Sequence, residues 1–524
     1  MVEEDYKMKH KTYPITSGLV FFYAMIMFLI YPLYYQNYYY DIVTCRFYLF
    51  VIMTGITVLL CMAAYFMEGG GKDSAGRKEI ISGADWIVLG LWGINLISAL
   101  LSDHMQTAIV GTPGRSSGLI TITCYVAVYF MITRFYMSSV WTFRFLFLAS
   151  IGASVIGSLH FLDIDFLGFY DGLGAGEKAM YLSTMGHANV VASFYGMVLP
   201  AAMVFYVNSE TWREKIFYGG TLILSATGLF ATGCESGAII TGAMFLAGFA
   251  AIRDDRKIYR IFMISLPALS LCKILLLINE RKRQPRTLET FQKILSGHTI
   301  FIMVFLILLI LSALTFQWCR ICRGRVRKTG IGVHRPYIRG ILVSAVLFIG
   351  IFAGIILFFS TAGKNIPLGR MENMLRFNER FGSYRGYIWK LVVTEYGKLP
   401  LINKLFGVGC DTLQPFLMEF HANEMYVTTG AYYDNAHNEF LQYLITTGIL
   451  GLLCYISLLF IKLRQGIRYM IRENSVITAA AVFGVLGYLL QSLVDINQCV
   501  TTPLFVLMVS MLGCGETKRE RTVG

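Results

Sequence analysis

Long apolar runs separated by short polar segments recur along most of the 524-residue chain. Most runs are about 18 to 22 residues long, which is the length that a helix needs to cross about 30 Å of hydrocarbon. The chain is 56% hydrophobic and only 15% charged, which is too apolar for an ordinary soluble protein of this length. The pattern therefore predicts an all-α protein, a polytopic membrane helix bundle.

The runs predict about 14 transmembrane helices, with about 12 as the lower count. Their approximate positions are 16–35, 46–66, 85–102, 118–135, 143–162, 188–207, 217–233, 236–252, 260–278, 298–318, 340–360, 438–462, 476–495 and 500–514. Three parts follow from this division. We expect an N-terminal transmembrane bundle over 1–360, a large extracytoplasmic catalytic loop over 361–437, and C-terminal helices with a cytoplasmic tail over 438–524.

The positive charges indicate how the helices are oriented, because cytoplasmic loops carry an excess of Lys and Arg. With a cytoplasmic N-terminus, most basic clusters fall inside, at 76–79, 253–257, 320–339, 462–473 and 518–521. The segment "NERKRQPR" at 279–286 is the exception and falls outside. We therefore predict a multi-pass plasma-membrane protein with both termini in the cytoplasm. The net charge of +13 then reflects topology, and no nucleic-acid partner is expected.

The long loop at 361–437 contains a segment that suits an anion. In "GSYRGYIWKLVVTEYGKLP", Ser383 is a plausible N-cap for a helix over 384–396. Arg385 would lie in its first turn, with Trp389 one turn later on the same face. A helix N-terminus offers free N–H groups and a positive dipole, and a guanidinium adds bidentate donors for a diphosphate.

Arg376 and Arg380, four residues apart, add cationic capacity just before this helix. The plainer alternative is that these arginines face water or pair with the carboxylates of the same loop, which are Glu372, Glu379 and Glu395. Spacing alone favours that alternative.

Glycines indicate a turn at 405–412 and a closely packed helix face at 448–451. The stretch "LFGVGCDT" at 405–412 lacks the Lys-Ser/Thr ending of a phosphate-binding loop and is best interpreted as a structural turn. Gly448 and Gly451 would give the following helix a small-residue face that another helix can approach closely.

Polar residues gather directly before the span that begins near residue 438, in "YYDNAHNEF". Asn435 or Asn438 can cap the span, and Glu439 complements its dipole. Capping does not require His437, whose ordinary pKa of about 6.5 suits a proton acceptor at neutral pH. His437 is therefore the strongest catalytic candidate.

Several of these segments together resemble the O-antigen ligase and O-antigen polymerase superfamily of membrane glycosyltransferases (WaaL/Wzy-like). The resemblance rests mainly on "AHNEFLQYLITTGILGLLCYI", "GSYRGYIWK" and "LFGVGCDT". Weaker similarity extends over "GRSSGL", "GHANVVASFYGMVLP", "TGCESGAII" and "GYLLQSLVDINQCVTTPLFVLMV". Family members often carry a Ser-Arg pair where this chain has Glu235.

The resemblance implies an enzyme that transfers a glycan from an undecaprenyl-diphosphate carrier to an acceptor hydroxyl on the outer side of the membrane. It implies no cofactor, no metal and no nucleotide sugar. The partners would be the lipid-linked donor, a glycan or lipid acceptor, and membrane lipid. His437 matches the family's functional histidine, and Arg385 matches a loop arginine of its anion-binding set.

Such a transfer requires an acceptor hydroxyl to lose its proton and a leaving diphosphate to be stabilised. His437 could be the base, with inversion at the anomeric carbon, or it could instead contact the diphosphate. Arg385 would bind the diphosphate. The expected substrate-binding residues are Arg115, His187, Arg376, Arg380, Trp389, Asp434 and Asn438.

Other functions remain open at this point. A lipid-linked oligosaccharide flippase or polysaccharide transporter would also have many helices, but transporters place polar groups near the bilayer midplane in repeated halves. A structural or signalling function would not explain why His437 stands at this position. The carboxylates Asp163, Asp165, Asp171 and Glu177 could suggest a glycosidase. Ligase and polymerase differ only in their acceptor, which the sequence does not identify.

Overall fold

The computed structural model describes residues 13–70, 81–234, 255–283, 285–289, 296–321, 353–369, 372–495 and 498–514, with a few isolated positions between them. Both chain termini, the basic segment at 76–79, Glu235 and most of the predicted spans at 236–252 and 340–360 lie outside the described residues.

The first half of the described chain contains ten helices and one short hairpin. They are α1 (Pro14–Leu29), α2 (Ile42–Met67), α3 (Gly83–Leu100), α4 (Met105–Val110), α5 (Leu119–Phe135), α6 (Val140–Phe161), α7 (Ala175–Met180), β1 (Tyr181–Leu182), β2 (Gly186–His187), α8 (Ala188–Asn208), α9 (Trp212–Thr232) and α10 (Asp255–Glu280). The two strands pair antiparallel, with Tyr181 opposite His187.

The second half of the described chain is helical throughout. Its elements are α11 (His298–Ile321), α12 (Glu372–Leu375), α13 (Phe381–Lys398), α14 (Leu401–Phe406), α15 (Leu413–Thr429), α16 (Glu439–Glu473), α17 (Val476–Gln491) and α18 (Thr502–Met511). Helices α12 to α15 all belong to the long loop predicted between the spans.

The protein is a polytopic all-α membrane protein, as the hydrophobic pattern predicted. Within the described residues, seven helices are long and apolar enough to cross a membrane, and four more are apolar but shorter. Among the described residues, the hairpin of two two-residue strands is the sole departure from the all-α prediction.

Helix α8 is the centre of the bundle. Of its most apolar window, 94% is buried inside the protein. It packs on α17 through two glycines, because a Cβ at Gly487 would lie only 1.9 Å from the carbonyl oxygen of Gly196. Since α8 begins directly after His187, the most buried helix also positions one of the predicted site residues.

Six connecting segments meet on one face of the bundle, which we call the site face. They are residues 30–41, 101–118, 162–187, 281–289, 361–438 and 492–501. Hydrogen bonds join them in pairs: Tyr31 Oη donates to the Cys499 carbonyl at 2.7 Å, and Thr184 Oγ1 donates to the Pro32 carbonyl at 2.7 Å.

The basic segment "NERKRQPR" lies on the site face as well. Arg286 donates to the carbonyls of His160, Lys178 and Ala179 at 2.8 to 3.2 Å. This segment was the exception to the positive-inside bias. It shares a face with the long loop, as the predicted order of helices requires. Its positive charge is partly used to tie two connecting segments together.

Helix α16 is broken at Gly448, which has φ 69° and ψ −176°. The glycine-rich turn inserts at the break, where Val408 N donates to the Ile445 carbonyl at 3.0 Å and Gly409 N donates to the Thr446 carbonyl at 3.1 Å. The N–H groups of the turn thus bond two carbonyls that would accept intrahelical hydrogen bonds if α16 were continuous. The interpretation of "LFGVGCDT" as a structural turn is confirmed, and Gly448 acts as a hinge as well as a small packing residue.

Candidate functional site

His437 lies in a tight turn between α15 and α16, and its backbone has a left-handed φ of 46°. Three hydrogen bonds hold this conformation. His437 N donates to Asn435 Oδ1 at 2.7 Å, Ala436 N donates to Gln442 Oε1 at 2.9 Å, and Trp389 Nε1 donates to the Ala436 carbonyl at 2.9 Å. A left-handed non-glycine residue is costly, so its surroundings must impose it.

Asn438 caps α16, as the sequence suggested. Its Oδ1 accepts from Leu441 N at 3.0 Å, and its Nδ2 donates to the Leu493 carbonyl at 2.9 Å. Both polar ends of the side chain are therefore engaged within the protein. Asn438 positions the turn beside it, so we no longer expect it to be a substrate ligand.

The start of α13 differs from the prediction. Ser383 is not an N-cap: Gly382, Ser383 and Tyr384 form a left-handed turn with φ between 55° and 67°, and no side chain caps this end. Tyr387 N instead donates to the Glu379 carbonyl at 3.2 Å. Fewer free N–H groups remain for an anion than a simple helix N-terminus would offer.

Arg385 follows this turn directly. Its Nη1 donates to the Gly382 carbonyl at 2.9 Å, which bends the side chain back over the turn. Its Nε is buried and has no hydrogen-bond partner among the described residues. Since a buried charged donor is normally bonded, Arg385 is ready to accept an anionic ligand.

The His437 side chain is half-buried and lies within the electrostatic reach of two arginines. Burial, together with Arg385 and Arg115, lowers the pKa of His437 from its ordinary value to about 3, although Asp434 opposes the shift. His437 is therefore neutral at pH 7. Its Nδ1 is buried and has no hydrogen-bond partner among the described residues, and its ring meets Tyr433 edge-on at 5.7 Å.

Arg115 is held in place by the carboxylate of Asp411, which follows the glycine-rich turn. Asp411 accepts from Arg115 Nε at 3.1 Å and from the backbone N–H groups of Thr112 and Ser117, both at 2.9 Å. Arg115 Nη1 lies 3.9 Å from Asp434 Oδ2, and Arg115 is only 1% exposed. The turn thus determines where Arg115 stands relative to Asp434 and His437.

His187 caps α8 and lies near the same charges. Its Nδ1 accepts from Asn189 N at 3.3 Å, so the proton of the neutral ring belongs on Nε2. Burial lowers the pKa of His187, with Asp495 opposing and Arg385 adding to the shift. His187, Arg385 and Asp434 therefore share one electrostatic environment.

Asp495 is a site residue that sequence reasoning missed. It is 2% exposed, its Oδ2 accepts from Ser193 Oγ and from Gln491 Nε2, and its Oδ1 is buried with no hydrogen-bond partner among the described residues. Its only signal in the sequence was a carboxylate at the end of an apolar run, which is a costly placement and often a functional one.

Arg376 and Arg380 stand apart from this cluster. Arg376 pairs with Glu372 and donates to the carbonyls of Phe359 and Ile366 at 3.0 and 2.9 Å, which ties the start of the long loop together. Arg376 therefore pairs with a carboxylate of its own loop, as the plainer alternative predicted. Arg380 is exposed at the N-terminus of α13.

Three of the four carboxylates that could suggest a glycosidase are engaged locally. The contacts are Asp163 with Lys282 Nζ at 2.7 Å, Asp165 with Tyr170 N at 2.6 Å and Glu177 with Gly174 N at 2.9 Å. These contacts give Asp163, Asp165 and Glu177 a local structural role.

A comparison with protein families decides between the classes. Residues 294–456 match the family model described as O-antigen ligase. This match supports the resemblance to the O-antigen ligase and polymerase superfamily over that part of the chain. No curated protein matches the chain. The match includes Arg385, Trp389 and His437, whereas Arg115, His187 and Asp495 lie outside it.

The apolar helices indicate an integral membrane protein, and the matched family supports a role in glycosyl transfer during surface polysaccharide synthesis. A lipid-linked glycan and a polysaccharide acceptor are the substrates that the family implies. The buried cluster on the site face contains the residue types that this chemistry needs, which are a neutral imidazole and fixed guanidinium groups.

Proposed function

We propose that the protein transfers a glycan from a polyprenyl-diphosphate carrier, of the undecaprenyl type, to an acceptor hydroxyl on the outer side of the membrane. His437 accepts the hydroxyl proton and Arg385 binds the leaving diphosphate. The proposed reaction is a single displacement that inverts the anomeric carbon and needs no metal. Catalysis occurs at the site face, with 361–437 as the catalytic loop.

The observation that carries the proposal is the pair of buried, unpartnered nitrogens in one site. Arg385 Nε and His437 Nδ1 both lack a hydrogen-bond partner among the described residues. Leaving either group unsatisfied costs about 1–3 kcal/mol, and more for the charged one. An anion and a hydroxyl are ligands that would satisfy them. The neutral state of His437 favours the base over a cationic diphosphate ligand.

The bonds and charges of the step balance. The acceptor oxygen forms a bond to the anomeric carbon while the bond from that carbon to the diphosphate oxygen breaks. His437 takes the acceptor proton, and the diphosphate leaves with the bonding electrons as an anion. Arg385 donates to that anion, and Arg115, fixed by Asp411, adds a positive charge nearby. Binding of the anionic donor would also raise the pKa of His437 and make it a stronger base.

Reconstituted vesicles that contain the lipid-linked donor and the acceptor test the proposal. We expect His437→Ala and Arg385→Ala to insert and fold normally and to lose glycan transfer. His421→Ala and Lys390→Ala are the matched controls, because both residues lie in the same long loop and outside the cluster. Wild-type product from either site variant would contradict its assignment.

Two further measurements refine the proposal. A chelator should leave the rate unchanged if no metal takes part. The length distribution of the products separates a polymerase, which gives a ladder, from a ligase, which gives single attachment. Movement of the donor across the bilayer without any new glycosidic bond would favour the flippase instead.

A further inference from the structure

Aromatic side chains are concentrated in one corner of the site face, where the segments at 30–41 and 162–187 meet. Phe169, Tyr39 and Tyr170 form a buried base with exposures of 0%, 5% and 7%. Tyr35, Tyr38 and Tyr181 pack on this base and are half-buried, and the exposed Tyr40 lies beside it with its Oη 3.5 Å from the Asp171 carbonyl. We call these four residues the aromatic platform.

The platform is continuous with the candidate site. Ring contacts run from Tyr38 to Phe169 at 5.9 Å, from Phe169 to Tyr39 at 5.0 Å and from Tyr39 to Tyr181 at 5.2 Å. Tyr181 then meets the ring of His187 edge-on at 6.3 Å. A ligand at His187 could therefore extend directly over the platform.

The backbone holds part of the platform in an uncommon conformation. Asn37 and Tyr38 have left-handed φ angles of 44° and 55°. Asn37 Nδ2 donates to Asp41 Oδ2 at 2.9 Å, and Tyr40 Oη reaches the Asp171 carbonyl at 3.5 Å. Left-handed non-glycine residues are rare and concentrate at ligand-binding sites.

Charges next to the platform place it in water and not in lipid. The loop beneath it carries Asp163, Asp165, Asp171 and Glu177 within fifteen positions of the chain, 163–177. Lys282 pairs with Asp163 at the same corner. Charged groups at this density are costly in hydrocarbon. An interfacial lipid belt also uses tyrosine, but it does not interleave with so many carboxylates.

We propose that the aromatic platform is a subsite for the sugar chain of the lipid-linked donor. Sugar rings present apolar C–H faces and polar edges, which suit tyrosine rings flanked by carboxylates and hydroxyl groups. The donor is the substrate that carries a sugar chain in the proposed function. With its diphosphate at Arg385, that chain would extend past His187 and Tyr181. The inference rests on the proposed function.

The test compares two donors in vesicles with the full-length protein. One is the lipid-linked oligosaccharide of the native host, and the other is the same lipid trimmed enzymatically to its first sugar. We expect Tyr38→Ala and Tyr40→Ala each to raise KM for the long donor roughly 2- to 10-fold, the range of one aromatic contact. KM for the trimmed donor and kcat for both donors should stay close to wild type.

Matched variants separate the ring from other effects. Tyr40→Phe keeps the ring and should retain most of the wild-type KM. Trp212→Ala removes a ring that is 66% exposed at the start of α9, beyond the far end of α8, and it should change nothing. Equal increases in KM for both donors, an unchanged KM for the long donor, or an effect on acceptor KM alone would each overturn the inference.

A binding measurement keeps this inference distinct from the proposed function. If the wild-type protein transfers no glycan, the proposed function fails. Binding of the two donors to nanodisc-embedded protein would then still be measured by calorimetry. Tyr40→Ala should weaken binding of the long donor only, and equal affinities of wild type and Tyr40→Ala for the long donor would refute the platform.

Discussion

Replacement of Gly448 by alanine should damage both the fold and the site, and its cost can be worked out from the structure. Gly448 combines φ 69° with ψ −176°, a region that essentially only glycine occupies. Such strain costs about 1–3 kcal/mol. An added Cβ would also lie 2.2 Å from the Leu405 carbonyl oxygen, and forced overpacking costs about 1–3 kcal/mol more.

Together these two costs predict that Gly448→Ala lowers the free energy of unfolding by about 2–6 kcal/mol. Glycan transfer should also fall, because the displaced turn carries Asp411, which holds Arg115. The assay is detergent unfolding of the purified protein, followed by transfer measurements on the fraction that remains folded.

Gly93→Ala is the matched control in a neighbouring helix. A Cβ there would meet nothing within 4 Å, and its φ is not left-handed. Since alanine favours helix by about 0.5–1 kcal/mol over glycine, this variant should be as stable as wild type or slightly more so. If Gly448→Ala unfolded together with Gly93→Ala, the break in α16 would not depend on glycine and the reasoning would be wrong.

Three more predictions concern the site. The low pKa of His437 keeps the free enzyme's imidazole neutral as the pH falls, so kcat/KM should keep its value well below pH 6.5. The bound anionic donor raises this pKa, so kcat should begin to fall at a higher pH than kcat/KM does. Profiles of both constants against pH check this, and a fall in kcat/KM at about pH 6.5 would contradict it. Asp411→Asn breaks a buried ion pair with Arg115 and should cost about 3–5 kcal/mol of stability by detergent unfolding; a stable variant with full activity would show that Arg115 needs no such anchor. Trp389→Phe keeps a ring but loses the hydrogen bond to Ala436, so we expect a loss of about 0.5–1.5 kcal/mol and a fall in kcat larger than any rise in KM; an unchanged kcat would exclude a positioning role.

Local patterns predicted the helices well because each span must satisfy its own backbone and present apolar side chains to its surroundings. The described helices overlap twelve of the predicted spans, but α16 continues to Glu473, eleven residues past its predicted end, and α1 ends at Leu29, six residues short. The Asn438 cap was equally local, since an N-cap bonds only three residues ahead. The predicted N-cap at Ser383 was wrong, because Gly382, Ser383 and Tyr384 form a left-handed turn in which the Ser383 side chain caps no N–H group.

The geometry of the candidate site depends on contacts between residues that are far apart in the chain. Arg115 and Asp411 are separated by 296 positions, and Ser193 and Asp495 by 302. Neither pair has a sequence signature, because only packing brings the partners together. The position of Asp495 near His187 could therefore not be inferred, although it stood in a segment that already carried the family resemblance.

The sequence by itself determined that this is a many-spanning membrane protein with a histidine and an arginine in one long loop, since periodicity, span length and capping are properties of neighbouring residues. Only the tertiary structure decided that His437 is neutral, because its pKa depends on burial and on Arg385 and Arg115. It also decided that Arg376 is structural and that a broken α16 receives the glycine-rich turn. These features follow from charges and contacts between distant segments, and such interactions exist only once the chain is folded.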